Sequence, residues 1–228
     1  MIQIKDTCYK GTRILIGDNK RNVINKLIDT AISNGYEEIQ MPIIQHAEYF
    51  EDKVGQENNN MMYNFTDRGN RNLCLAPEYT AIIQALSNGI FKYEKDMKLF
   101  YVQECFRGEK PQAGRYRQFT QFGIEIINPT RDYSNELVKL ARSLIMRSIT
   151  PLGKKYNEDV FLNDLKINTD ATRGLDYYLG GKGFEIAYEK LGAQKQICGG
   201  GEYEGGVGFA LGVDRLLEMI NIINTDQL

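Results

Sequence analysis

The sequence predicts an α+β fold, an antiparallel β-sheet flanked by helices, in a single domain of 228 residues. Three observations lead there. Strand-like runs come in pairs joined by polar turns rich in Gly, Asn and Asp. Helical patterns fall between those pairs and do not alternate strictly with single strands, as βαβ units would require. No repeat, linker or low-complexity tract divides the chain, and its length suits one large domain.

The elements follow in order. Asp18 or Asn19 caps a helix whose Val23, Ile24, Leu27, Ile28, Ala31 and Ile32 share one face, and Gly35 stops it. Glu37 to Met41 is a short extended segment before Pro42. Met61 to Phe65 and Leu73 to Leu75 flank Asp67-Arg68-Gly69-Asn70, a hairpin-turn signal. Pro77 opens a helix carrying Ala81, Ile82 and Ala85, which ends at Asn88-Gly89. Met97 to Phe106 and Tyr116 to Ile127 read as two long strands, joined by the polar loop from Gly108 to Gly114. A helix from Ser134 through Leu137, Leu140, Leu144 and Ile145 runs to about Thr150. Shorter strands are expected at Leu162 to Ile167, Leu175 to Tyr178, Phe184 to Tyr188 and Lys195 to Cys198. A final helix from about Val207 to Ile223 is expected to bury Phe209, Leu216, Met219 and Ile220.

Composition narrows the chemistry. There are 28 Lys+Arg against 30 Asp+Glu, giving a net charge of −2, which argues against wholesale coating of nucleic acid. The chain has 1 histidine, His46, so a Ser/Cys-His triad or a multi-histidine metal cage has no material, and His46 reads as a surface or half-buried residue. The 4 cysteines, Cys8, Cys74, Cys105 and Cys198, are scattered without a C-x-x-C pair. Reduced cysteines and no secretory segment predict a cytoplasmic protein, and no apolar run is long enough to span a bilayer. No set of metal-ligating residues stands out. Any chemistry falls to Arg, Glu, Gln, Tyr and the backbone.

Four segments offer it. GGGEYEGGVGFALG, Gly199 to Gly212, is neither a P-loop nor a dinucleotide fingerprint. It reads equally as a tight turn with close helix-to-sheet packing or as backbone that a ligand approaches closely. In FRGEKPQAGRYRQF, Phe106 to Phe119, Arg107, Glu109, Lys110, Arg115 and Arg117 crowd a strand–loop–strand unit. On a strand from Tyr116, Arg115, Arg117 and Phe119 share one face, which Gln121, Gly123 and Glu125 continue. A polar row inside an apolar sheet is costly unless paired or liganded, and arginine forks match phosphate oxygens, so the row favours a ligand over a solvated hairpin edge. TRGLDYY, at Thr172 to Tyr178, and Asp214-Arg215 would each, alone, be an ordinary ion pair.

Together these segments resemble class II aminoacyl-tRNA synthetases, and specifically the histidyl-tRNA synthetase family, from about Lys10 to Ile223. GYEEIQMPIIQ resembles that family's motif 1, about 35–45, the dimer segment. FRGEKPQAGRYRQFTQFGIE is similar to motif 2, about 101–125, TRGLDYY to the histidine signature, 172–178, and GFALGVDRLLEMI to motif 3, about 206–223. LAPEYTA resembles the family's Pro-Glu-x-Thr-Ala block. The resemblance implies a class II aminoacyl-tRNA synthetase catalytic core, working as a homodimer. It implies activation of histidine by ATP, with Mg²⁺ screening the triphosphate, followed by transfer to tRNA.

The resemblance also implies roles. Arg107 would clamp the histidine carboxylate and α-phosphate, with Arg173 on the same phosphate. Arg115 would hold the γ-phosphate and Glu109 the adenine edge, with Phe119 and Arg215 sandwiching the base. Glu78, Thr80 and Gln121 would take the ammonium, and Glu125 and Tyr178 the imidazole. Full-length members carry an anticodon-binding domain and an insertion between motif 2 and the histidine signature; here the chain stops after motif 3, and only Thr150 to Thr172 fills the second gap. The family's Gly-Gly-Arg-Tyr-Asp-Gly block stands as GGGEYEGG, and its Arg and Gly near the Pro-Glu-x-Thr block are Ala76 and Tyr79. Gln112 would then lie near a tRNA acceptor end. The alternative implied reading is a non-catalytic, histidine-binding regulatory subunit that partners the catalytic subunit of ATP phosphoribosyltransferase.

Overall fold

The computed structural model describes residues 8–51, 60–112, 114–149, 163–172, 178–192 and 194–225. Helix α1 (Asn19–Ser33) follows Asp18, and Gly35, at φ +81, takes the left-handed conformation that turns the chain away from it. β1 (Glu37–Glu38), β2 (Ile44–His46) and the short α2 (Glu48–Glu51) come next. β3 (Tyr63–Thr66) and β4 (Asn72–Leu75) form the expected hairpin, with Asn70 at φ 58 in its turn. α3 (Thr80–Asn88) begins later than Pro77 because the Glu78 carboxylate accepts the Thr80 and Ala81 amides at 2.7 and 2.9 Å, capping the first turn. β5 (Met97–Phe106), β6 (Gln118–Ile127) and α4 (Ser134–Ile149) complete the first two-thirds of the chain. β7 (Leu165–Thr172), β8 (Lys182–Tyr188), β9 (Gln196–Tyr203), β10 (Gly206–Gly212) and α5 (Val213–Thr225) follow.

The strands make a seven-stranded sheet in the order β1-β5-β6-β10-β9-β8-β7, antiparallel except for β1, which runs parallel to β5. A smaller antiparallel sheet has the order β2-β4-β3. This is the expected α+β architecture. Alternation divides the large sheet by face. Phe100, Phe122, Ile124, Ile126, Val207, Phe209 and Leu211 point to one core, with Leu27 and Ala31 of α1, Leu137 and Leu144 of α4, and Leu216 and Met219 of α5. Leu99, Tyr101, Cys105, Ile127, Tyr178 and Tyr203 belong to a second core, with Phe50, Cys74, Tyr79 and Ile83.

Several expectations are corrected. Val207 to Gly212 is strand, not the start of the last helix, which begins at Val213. The glycine run is two paired strands turning at Glu204-Gly205, not a turn packed against a helix: Gly208 pairs both Gly201 and Glu125, a position a helix would deny it. The second long strand starts at Gln118, because the Arg117 amide is taken by the Gly11 carbonyl at 2.8 Å. β7 and β9 run further toward their C-termini than their apolar residues suggested. Ile32 is 59% exposed, rotated off the buried stripe of α1. The expected strand at Leu175 to Tyr178 lies outside the described residues, apart from Tyr178, which bridges to Tyr203. His46 is exposed, with its ring edge-on to Tyr49, and Cys74, Cys105 and Cys198 are buried free thiols.

Gly123 pairs with Tyr101 across β5 and β6, and a Cβ there would stand 2.1 Å from the tyrosine ring. Gly123→Ala is therefore expected to cost about 1–3 kcal/mol by overpacking. In a double-mutant cycle read by thermal unfolding, Tyr101→Leu should recover part of the loss. Additive effects of the two changes would show that the ring does not need the gap.

Candidate active site

The sheet face opposite α1, α4 and α5 holds two neighbouring clusters. The first surrounds Glu125, which is 1% exposed toward the C-terminal end of β6. Tyr203 donates its hydroxyl to Glu125 Oε2 at 2.8 Å. Gly208, directly opposite on β10, makes the carboxylate's position available, since a Cβ there would meet Oε2 at 1.9 Å. Burial raises the Glu125 pKa to about 8, the Tyr203 bond pulls it down, and the nearby Glu78 carboxylate raises it further. Glu78 is itself raised by burial, against its two amide bonds and the Arg107 charge. Buried Tyr101 and Tyr178 lie within the same electrostatic neighbourhood. Glu125 Oε1 and the Tyr101 hydroxyl are both buried without a hydrogen-bond partner among the described residues. Two such orphans near one another suit a polar ligand, because leaving either unpaired costs free energy.

The second cluster is cationic. Glu109, 6% exposed, sits between two arginines: Arg115 Nε is 2.7 Å from its Oε2, and Arg107 Nη1 is 3.9 Å from its Oε1. The Arg115 contact is a close ion pair whose N–H points off the hydrogen-bond direction. Arg107 also donates from Nε to the Pro77 carbonyl at 2.8 Å and lies over the Phe119 ring, 5.1 Å from its centroid. Arg215, at the start of α5, donates to the carbonyls of Gly114 and Gln196 at 3.0 and 2.9 Å. Burial, and then the Arg107 charge, lower its pKa to about 10, so it stays charged at neutral pH. Gln121, further down β6, accepts from the Cys105 thiol at 3.2 Å. Among the described residues, no three His, Cys, Asp or Glu side chains group as a metal site. No described helix is long and apolar enough to cross a membrane.

A family profile described as histidyl-tRNA synthetase matches residues 18–154. The histidine–tRNA ligase of Methanocaldococcus jannaschii is 30% identical over 96% of this chain and 76% of its own length. The chain belongs to the histidyl-tRNA synthetase family. That alignment runs over 321 residues against the 228 here, so the relative carries stretches with no counterpart in this chain. A histidine–tRNA ligase subunit from Alicyclobacillus acidocaldarius shares the fold at TM-score 0.71 and 14% identity, covering 97% of this chain and 98% of that one. An ATP phosphoribosyltransferase regulatory subunit/histidyl-tRNA synthetase from Bacillus halodurans does so at TM-score 0.67 and 16% identity, covering 92% and 82%.

Read as a histidyl-tRNA synthetase core, the sheet face brings together Arg107, Glu109, Arg115, Phe119 and Arg215 at one end, and Glu78, Glu125 and Tyr178 at the other. Gln121 lies between Phe119 and Glu125 in β6, and Thr80 opens α3 beside Glu78. The aromatic ring that Phe119 offers is stacked by Arg107 here, while Arg215 is engaged with backbone carbonyls. Arg173 falls outside the described residues. Sequence reasoning missed Tyr101 and Tyr203. The GGGEYEGG block carried a signal for Tyr203, whereas Tyr101 becomes visible only through its register opposite Gly123.

Glu125 also predicts a stability effect. Its pKa is raised on folding, so its contribution is most favourable at low pH and is lost as pH climbs from the unfolded value through about 8. Glu125→Gln, which mimics the neutral acid, should raise the melting temperature by about 4 °C or more at pH 8.5 while leaving pH 5 nearly unchanged. Equal shifts at both pH values would contradict a buried, protonated carboxyl.

Proposed function

We propose that this chain activates histidine with ATP, forming histidyl-adenylate and pyrophosphate, and that it passes the histidyl group to the acceptor end of a tRNA. The observation that carries this reading is the pairing of Arg107 and Arg115 with the buried carboxylate of Glu109, within the field of Arg215, on the sheet face that also holds Glu125. In the reaction, a histidine carboxylate oxygen attacks the α-phosphorus, and the bond from that phosphorus to the bridging oxygen of the departing pyrophosphate breaks. Two anions must meet, and negative charge grows on the phosphoryl oxygens. Arg107 bridges carboxylate and α-phosphate, with Arg173 on the same phosphate. Arg115 takes the γ-phosphate, Glu109 the adenine edge, and Phe119 with Arg215 the two faces of the base. Mg²⁺ arrives on the triphosphate as part of the substrate and screens its charge. Glu78, Thr80 and Gln121 receive the ammonium, and Glu125 and Tyr178 the imidazole.

No imidazole or serine nucleophile is required, in keeping with the single exposed histidine. The domain is read as one catalytic core, working as a cytoplasmic homodimer through segment 35–45. There, Ile43 and Ile44 are exposed beside a groove of about 550 Å³ lined also by Met41, Pro42, Val102 and Gln103. The likeness to the Bacillus halodurans protein supports a second reading, a histidine-binding regulator that partners an ATP phosphoribosyltransferase catalytic subunit. A histidine sensor has no use for the triphosphate arginines, and their presence favours adenylation.

Histidine-dependent ATP–pyrophosphate exchange tests the choice. Activity is expected in the wild type, with Arg107→Ala lowering it on the order of 10²- to 10³-fold, as loss of a transition-state charge contact does. No exchange with any amino acid, together with co-purification of a phosphoribosyltransferase subunit, would move the assignment to the regulator.

The Glu125 pKa adds a pH signature. A neutral imidazole facing a protonated Glu125, or an imidazolium facing its carboxylate, contains the same single proton. Free imidazole is mostly neutral above pH ~6.5, so that proton must come from Glu125, which loses it through about pH 8. The histidine KM is expected to rise between pH 7 and 9, approaching tenfold per unit at the upper end. A flat profile in that window would remove Glu125 as the imidazole partner.

A further inference from the structure

We propose that Glu218 is a positioning residue for ATP: through Gly114 it holds the loop that carries Arg115. The inference rests on the adenylation reading above and gives a role to a residue that the resemblance at motif 3 covers without assigning one. Glu218 lies on α5 and is partly buried. Both hydrogen bonds of its carboxylate go to the loop between β5 and β6. The Gly114 amide donates to Oε1 at 3.1 Å, and the Tyr116 hydroxyl donates to the same oxygen. Arg215, three residues earlier and therefore on the same face of the helix, donates from Nε to the Gly114 carbonyl at 3.0 Å. One glycine is thus gripped at its amide and at its carbonyl by successive positions of a single helix face.

Gly114 suits that grip. It adopts φ +74, and a Cβ there would stand 3.0 Å from Glu218 Oε2. The turn containing it is closed by two backbone bonds, Gln112 N–H to the Arg115 carbonyl at 3.2 Å and Arg115 N–H to the Gln112 carbonyl at 2.9 Å. Fixing Gly114 therefore fixes where the Arg115 side chain leaves the backbone, next to the Glu109 carboxylate it pairs with. A second brace arrives from the N-terminal segment. The Arg13 guanidinium lies 3.5 Å from the centre of the Tyr116 ring and pairs with the buried Asp214, which accepts the Thr120 amide at 2.6 Å. Glu218 thereby ties the nucleotide loop to the helix that supplies Arg215. At the histidine end of the face, Glu125 takes its hydrogen bond from Tyr203, whereas the bonds of Glu218 go to Gly114 and Tyr116.

The test compares wild type, Glu218→Ala and Glu218→Gln by ATP and histidine KM in the exchange assay, direct ATP binding, and hydrogen exchange at the Gly114 amide. Glu218→Ala is expected to raise the ATP KM roughly tenfold, to leave the histidine KM within about twofold, and to speed Gly114 exchange. Glu218→Gln keeps an acceptor oxygen and should stay within about threefold of wild type. An unchanged ATP KM in Glu218→Ala, or equal rises in both KM values, overturns the inference. So does a Glu218→Gln protein as impaired as Glu218→Ala, which would assign the effect to the charge beside Arg215. A wild-type protein that binds no ATP overturns the adenylation reading and this inference with it. ATP binding that Glu218→Ala leaves intact overturns the inference alone.

Discussion

The alternation of side chains along β6 is the constraint on which the rest of the molecule depends. Each residue of a strand faces one side of its sheet or the other, with no intermediate choice. Phe122, Ile124 and Ile126 take the side covered by α1, α4 and α5, and their burial supplies the apolar contact that holds those helices. Phe119, Gln121, Gly123 and Glu125 are thereby committed to the other side. A shift of register by one residue would place Glu125 among Leu137, Leu144 and Leu216. The fold and the site are in this sense one decision, since whatever secures the apolar face also aims the polar one.

Having a carboxylate in the middle of a sheet imposes its own demands on the neighbouring strands. Glu125 needs a donor, which Tyr203 supplies, and it needs space, which Gly208 leaves. Tyr101 needs space as well and finds it over Gly123. Glycine within a strand weakens it by roughly 0.5–1 kcal/mol relative to alanine. The glycines of β9 and β10 tolerate that cost because the strands are interior to the sheet, paired on both edges, and backed by Phe209, Leu211 and Cys198 in the helix-covered core. Rigidity on one face is what permits close approach on the other.

Much of this was legible from one sequence. The helices of periods 19–33 and 134–149, the hairpin around Asp67 to Asn70 and the two long strands all carry local patterns strong enough to read. Parity along β6 alone assigns Phe119, Gln121 and Glu125 to one face. What escaped depends on contacts between distant segments. GVGFALG has no period that separates a strand from the first turns of a helix, and only its pairing with β6 and β9 decides. Tyr101 looks like any core tyrosine until its register against Gly123 is known. Arg13 and Glu218 reach the site from the two ends of the described chain, through Asp214, Tyr116 and Gly114, and no local spacing announces them.

The balance of charge in the arginine cluster bears on how it can act. Three guanidiniums near one another repel, and burial depresses Arg215 further. Among the described residues, Glu109 is the one carboxylate that pairs with two of them, and Arg215 leans on the carbonyls of Gly114 and Gln196. These contacts hold the cations in place, while the Glu218 charge also bears on Arg215 and the Arg107 charge on Glu78. Such an arrangement bears the cost of bringing like charges together during folding, when the hydrophobic core is there to offset it. On the proposed adenylation, a polyanion entering afterwards would meet donors already oriented, with little reorganisation opposing the charge that would develop at its α-phosphorus. A cluster fully neutralised by carboxylates would be more stable alone and would have less to offer such a ligand.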